Sequence, residues 1–325
     1  MRTVGFPVSL KENEFRRALV LKDILEFPYK SQLYFESGYG DVLGITDDDM
    51  ITIGVNVVNR NEVLKQNIIC DPKAGDADYL EQLSFGQIVF GWIHAVQNKD
   101  ITDRFINKNM TAIAWEDMFE DGRHVFWRNN ELAGEAAILH AYMLFGKMPY
   151  ETKVAILGKG NIARGAQKAL QGLGAEITIY DRKTENLLRK EIEQYDVFVN
   201  AILWDTNRSD HILYKEDIKR MKKNSMIIDI SCDEGKGIET SKATTIANPF
   251  YYVDGVMHYV VDHTPSIFYK TASNSISMEV KKYLPIIMEN NEENTKVLNK
   301  SIIIKEGKVL DDKILIFQNR IESLV

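Results

Sequence analysis

The stretch Lys153-Val-Ala-Ile-Leu-Gly158-Lys-Gly160-Asn161-Ile162-Ala163-Arg-Gly165 restricts the fold of this chain more than any other. An apolar run short enough for a buried strand leads into a glycine loop and then a helical pattern. Gly158 permits the tight turn. Gly160 lets the backbone approach a diphosphate, because no Cβ intervenes, and Ala163 keeps the helix close to the sheet. The helix start at Asn161 and Ile162 would present free N–H groups and the positive end of the helix dipole to phosphate oxygens.

A glycine pattern alone is weak evidence, but its flanks agree here. A second strand over residues 176–180 ends in an acid, Asp181, at roughly the 20-residue distance expected of a ribose-binding carboxylate. Asp181 would accept hydrogen bonds from the free 2′-hydroxyl of NAD(H). Arg182 and Lys183 follow directly and would pair with the 2′-phosphate of NADP(H), or form a solvated turn. The motif by itself divides evenly between the two cofactors. Ile202 and Ile230 end later strands and complete the expected cofactor-binding set, since ligands of an open α/β sheet lie beyond the carboxyl ends of its strands.

With 325 residues the chain has room for two domains. Its net charge of −7 gives no basic face, which argues against nucleic acid. Cys70 and Cys232 are the two cysteines, too few for a disulfide framework or a metal site. No apolar stretch approaches the ~20 residues that span a bilayer, and residues 1–12 do not read as a secretory signal. The expectation is a cytoplasmic protein without membrane contact or bound metal, acting on small molecules as a homo-oligomer.

Apolar runs at 3–7, 51–58, 67–70, 88–92 and 112–115 read as strands, with helical spacing over 14–25. Residues 129–145 form one long helical pattern, and 273–287 another. Strands at 154–157, 176–180, 196–202 and 225–230 alternate with helices, the rhythm of a parallel sheet. The expected fold is α/β: two Rossmann-like domains with parallel sheets and a cleft between them. Residues 1–128 plus 270–325 would form the catalytic and substrate domain, and 129–269 the dinucleotide-binding domain.

Several side chains fit redox chemistry on a keto or amino acid. Arg16 and Arg17, early in the predicted first helix, offer a guanidinium fork to a carboxylate. His94 ends an apolar run and can act as general acid and base. Lys73 follows Pro72 in a loop and can polarise a carbonyl. Asp233 lies beyond a strand end, whereas Asp229 falls inside the strand. Asp205, Asp210 and His211 are polar enough to meet a cationic amino acid, or form an exposed loop.

Taken together these residues resemble the alanine dehydrogenase and transhydrogenase family. The carriers are Gly5-Phe6-Pro7 with Lys11-Glu-Asn-Glu14-Phe-Arg16-Arg17, Phe90-Gly-Trp-Ile-His94-Ala95, Ala112-Ile-Ala-Trp-Glu116, Ile228-Asp-Ile-Ser-Cys-Asp233-Glu-Gly235 and Leu298-Asn-Lys with Gly307-Lys-Val-Leu310. The resemblance implies that Arg16 holds the substrate carboxylate, that His94 is catalytic, and that Asp233 contacts the nicotinamide side and assists proton transfer. The family's Val-Lys-Glu-Pro motif is matched by Ile69-Cys70-Asp71-Pro72, so Cys70 stands where the substrate-contacting lysine is expected. Lys73 lies three residues on and would take that role.

Cys70-Asp-Pro-Lys73 and Trp204-Asp-Thr206 look like the branch of the family that joins pyruvate reductively to the side-chain amine of ornithine or lysine, with NADP(H) preferred and NAD(H) possible. The alternatives are alanine dehydrogenation, with ammonia as the amine, a saccharopine-type opine dehydrogenase, and a non-catalytic nucleotide sensor.

Overall fold

The computed structural model describes residues 1–205, 208–232 and 235–320. They fall into two units: Met1–Phe126 with the chain from Tyr269 onward, and Trp127–Phe268.

The first unit opens with six strands: β1 (Val4–Phe6), β2 (Leu33–Glu36), β3 (Asn56–Val58), β4 (Ile68–Asp71), β5 (Ile88–Gly91) and β6 (Thr111–Ala114). They lie in the order β3-β2-β1-β4-β5-β6, all parallel. The chain winds outward from β1, then returns and winds outward on the other side. Loops leaving β1 and β4 therefore diverge, and the crevice beyond their carboxyl ends is where such sheets bind ligands. β4, β5 and β6 are buried along their whole length, as strands covered on both faces must be. β7 (Phe119–Glu120) and β8 (Arg123–His124) form a small antiparallel hairpin.

The second unit contains β9 (Lys153–Leu157), β10 (Glu176–Tyr180), β11 (Val197–Asn200), β12 (Met226–Asp229), β13 (Phe250–Val253) and β14 (Val256–Tyr259). Their order is β10-β9-β11-β12-β14-β13, and only β13 runs antiparallel. The reversal point lies between β9 and β11. Side chains alternate between two cores. Val154, Ile156, Val199 and Ile228 pack on one face, and Ala155, Leu157, Phe198 and Ile227 on the other.

Helix Trp127–Phe145 crosses helix Asn161–Gly172 at backbone contact. A Cβ on Gly165 would stand 1.8 Å from the Glu131 carbonyl oxygen, and one on Gly134 would stand 2.1 Å from that of Ile162. These glycines let the second helix lie close to the first and fix where its N-terminus points.

From Tyr269 the chain belongs to the first unit, through helix Tyr269–Met288, β15 (Ile302–Lys305) and β16 (Lys308–Val309). β15 pairs antiparallel with β6 and β16 with β15, completing an eight-stranded sheet.

Two elements differ from the sequence pattern. The helix predicted over 14–25 is helical only at Leu21–Leu25, so Arg16 and Arg17 precede it. Backbone N–H groups of Arg16, Arg17, Leu19 and Val20 donate instead to Glu14 Oε1, Ser273 Oγ, Tyr39 Oη and Ser277 Oγ. Side-chain acceptors, three of them from other segments, thus replace the helical carbonyls. The strand predicted over 51–58 is confined to Asn56–Val58. Thr46 and Asp49 form a capping box that starts a helix at Asp47–Thr52.

Gly165→Ala is expected to lower stability by about 1–3 kcal/mol through overpacking. Gly172→Ala, where a Cβ meets open space, should be neutral or stabilising by up to about 1 kcal/mol. Thermal unfolding should show a lowered midpoint for Gly165→Ala and an unchanged or raised one for Gly172→Ala.

Candidate active site

Gly158 follows β9 with φ +129°, and a Cβ there would lie 2.7 Å from the Ala201 carbonyl oxygen. Backbone strain and collision both exclude a side chain. Its N–H donates to Tyr180 O at 2.9 Å, tying the turn to the end of β10. Gly160 is different. It caps helix Asn161–Gly172 in extended conformation, and a Cβ would meet nothing within 4 Å. The space over Gly160 is therefore vacant of protein. No side chain caps the helix and its first turn carries no acid. Ile162 is half-buried against the core and Ala163 is buried, while Asn161 Oδ1 accepts from Arg164. The arrangement fits a dinucleotide diphosphate: uncapped amides, a positive helix end and a glycine that leaves the approach open.

A cavity of about 220 Å³ lies at this point, lined by Gly158, Gly160, Asp181, Arg182, Ala201 and Ile202 among others. It sits at the carboxyl ends of β9, β10 and β11, where the strand order reverses. Asp181 Oδ2 pairs with Lys159 Nζ at 2.7 Å, and Oδ1 accepts from Lys183 N and Thr184 Oγ1. The Lys159 hydrogen bond, with those of the turn, holds the carboxyl at about 2. Arg182 donates to Leu203 O across the cavity mouth. Ile202 and Ile230 are half-buried, on opposite faces of the sheet. Asp229 ends β12 in a buried network with Asn200 Nδ2 and Ser241 Oγ. Asp233 lies outside the described residues. Asp210 is paired with Arg208 two residues away, and His211 Nδ1 faces Lys236 O from a separate loop, so both are engaged by other protein groups.

In the first unit Arg16 is buried. Its Nε and Nη2 donate to the two Glu14 oxygens at 2.8 and 2.6 Å, and its guanidinium lies over Trp92 at 5.3 Å. Arg17 donates to Tyr39 O. Cys70 and Asp71 end β4 and are buried; burial pushes the Cys70 thiol up. Asp71 accepts from Lys73 N and Tyr79 Oη, yet burial and the nearby Glu14 charge still raise its carboxyl. Lys73 is largely buried, with Nζ 2.7 Å from Asp76 Oδ2, and Lys11 Nζ reaches the same oxygen at 2.9 Å. Burial would raise the Asp76 carboxyl; the two lysines outweigh it and hold it at about 2.

His94 follows β5, itself exposed between the buried Ile93 and Ala95, in the left-handed conformation with φ +53°. Glu116, just beyond β6, grips this turn. Its carboxylate accepts the N–H of His94 at 2.6 Å and that of Ile93 at 3.2 Å. Gly75 N, in the loop after β4, donates to Trp92 O at 2.9 Å. The loops after β4, β5 and β6 are thus locked to one another, and Trp92 joins them to Arg16.

Residues 6–126 match the family model "Alanine dehydrogenase/PNT, N-terminal domain" and residues 182–312 its C-terminal counterpart. Residues 118–235 also match the NAD binding domain of D-isomer specific 2-hydroxyacid dehydrogenases. An N(5)-(carboxyethyl)ornithine synthase of Clostridium botulinum is 34% identical over 89% of this chain and 98% of its own. The chain belongs to the alanine dehydrogenase/PNT family. It is an NAD(P)-dependent oxidoreductase that uses a nicotinamide cofactor. An N(5)-(carboxyethyl)ornithine synthase of Lactococcus lactis is 32% identical, with 84% of this chain and 93% of that one covered. An L-alanine dehydrogenase structure shares the fold, with TM-score 0.83 and 19% identity over 98% of this chain and 99% of that one. None of the described helices is long and apolar enough to cross a membrane.

Sequence reasoning gave no role to Glu14, Asp71 or Glu116. All three lie inside the motifs that carried the family resemblance. For Glu14 and Asp71 the available signal was an acid two residues before a cation of interest, Arg16 or Lys73; Glu116, 22 residues from His94, gave no such signal.

Two expectations follow. Gly160→Ala should unfold within about 1 kcal/mol of wild type while losing roughly tenfold or more in cofactor affinity; Gly158→Ala should lose both. Calorimetry and cofactor titration separate them. Asp76, with its carboxyl below the ordinary 3.8, stabilises the fold above that pH and less as pH falls toward about 2. Denaturation from pH 6 to 2 should show wild type and Asp76→Asn converging at the acid end.

Proposed function

We propose that this chain catalyses the reductive condensation of pyruvate with the side-chain amine of ornithine or lysine, giving an N-(1-carboxyethyl) amino acid. The reading rests on its likeness to N(5)-(carboxyethyl)ornithine synthases over 89% of its length. The site chemistry is compatible with it. Arg16, held rigid by Glu14 and Trp92, supplies a fixed positive charge for the pyruvate carboxylate. Lys73, on the loop after β4, assists and orients the carbonyl. Cys70 occupies the family's lysine position but lies within β4 as a buried thiol whose burial keeps it neutral, so it supplies no cation for the substrate.

The amine nitrogen adds to the C2 ketone. His94 protonates the departing hydroxyl as the carbinolamine loses water to become an imine, and receives a proton from the nitrogen. Glu116 holds the turn that presents this imidazole. The nicotinamide cofactor, when bound at the Gly158–Ala163 loop, would supply a hydride to the imine carbon, and the proton held by His94 would return to the nitrogen to give the secondary amine. Asp233 orients the ribose or the incoming amine. Arg182 and Lys183, directly after β10, favour NADP(H) over NAD(H) through the 2′-phosphate. With ammonia as the amine the same steps would yield alanine, and a larger keto acid would give saccharopine-type chemistry.

NADPH, pyruvate and ornithine or lysine should give cofactor oxidation, followed as the loss of reduced-nicotinamide absorbance, and a secondary amine detectable by mass. Turnover with ammonia but neither diamine would replace this reading by alanine dehydrogenation. His94→Ala should lower kcat by about 10²–10⁴-fold and leave the cofactor dissociation constant unchanged.

A further inference from the structure

The acid that ends β10 conventionally selects NAD(H), because a carboxylate binds the ribose 2′-hydroxyl and repels a 2′-phosphate. In this chain that acid is already engaged. One Asp181 oxygen accepts from Lys183 N at 3.0 Å and Thr184 Oγ1 at 3.2 Å, which builds the turn. The other faces Lys159 Nζ at 2.7 Å. Lys159 is the residue between Gly158 and Gly160, so the phosphate loop itself reaches back over the ribose position. It lines the same cavity as Asp181 and Arg182. Lys159 is thus the cation paired with this carboxylate, while Arg182 reaches Leu203 O and Lys183 meets Asp181 through its backbone N–H.

We propose that Lys159 is the residue that makes this site selective for NADP(H): it neutralises Asp181 and contributes its ammonium to the 2′-phosphate. The proposal rests on the NADP(H) preference stated above and names how that preference arises. A 2′-hydroxyl would have to compete with Lys159 for Asp181. A 2′-phosphate instead finds Lys159 close by and its natural repulsion from Asp181 cancelled. The point charge of lysine suits this task, since it can hold the carboxylate and the phosphate together through separate N–H groups. The selectivity therefore sits in the glycine loop as well as after β10.

The test is equilibrium binding without turnover. Dissociation constants of NADPH, NADH, 2′,5′-ADP and 5′-AMP are measured by fluorescence or calorimetry for wild type, Lys159→Met and the double variant Lys159→Met/Asp181→Asn. Lys159 is exposed, so the single variant should fold, which circular dichroism checks. Lys159→Met should weaken NADPH and 2′,5′-ADP by about tenfold or more, leaving NADH and 5′-AMP within about threefold or tighter. The double variant should recover part of the loss, because the uncancelled carboxylate is gone. Equal weakening of all four ligands, or no change, overturns the role of Lys159. Tighter binding of NADH than NADPH by wild type overturns the preference itself. A wild-type NADPH preference that survives Lys159→Met leaves the preference standing and removes only Lys159.

Discussion

The carbonyl oxygen of Glu131 occupies the place where Gly165 would carry its first side-chain atom. That contact sets the position of helix Asn161–Gly172 against helix Trp127–Phe145, and much of the cofactor site follows from it. The helix N-terminus, with its uncapped amides, can point only where this packing directs it. Gly158 adds the second restriction, since its φ and its distance to Ala201 O admit no side chain. The glycine loop is thus clamped from both ends, by a helix crossing and by the neighbouring strand. Only Gly160, between them, faces open space. Packing density ends where a diphosphate would begin.

The first unit reaches an analogous arrangement by polar means. Its strands reverse order between β1 and β4, so the loops beyond their carboxyl ends diverge and leave a crevice between them. Buried charges then hold those loops. Arg16 is fixed by Glu14 and Trp92, Lys73 by Asp76, and the turn at His94 by Glu116. Buried ions are costly unless paired, so each cation that faces substrate in the proposed reaction brings its own counter-charge. Such pairing adds little net stability. It fixes side chains that are otherwise long and flexible, which serves orientation of a small substrate.

The cofactor reading shows how one residue's meaning depends on its neighbours in space. Asp181 read along the chain is a ribose acceptor. Read with Lys159 beside it, it is one half of an ion pair. Both residues were visible in the sequence, but their 2.7 Å approach depends on the turn of the glycine loop and on the parallel register of β9 and β10.

Local pattern by itself determined the strand, glycine loop and helix from Lys153 to Gly172, the alternation of strands and helices, and the motifs that mark the family. These features are set by residue spacing, by glycine's missing Cβ and by the period of apolar side chains, all of which act within a few residues. Tertiary structure alone decided the segment around Arg16. Its apolar spacing suited a helix, but Tyr39, Ser273 and Ser277 supply the hydrogen-bond partners that keep it out of one. It alone also decided that Gly165 is a helix contact and that Glu116 sustains the left-handed turn at His94. Each of these rests on a partner far away in sequence, and spacing along the chain holds no record of which distant groups will meet.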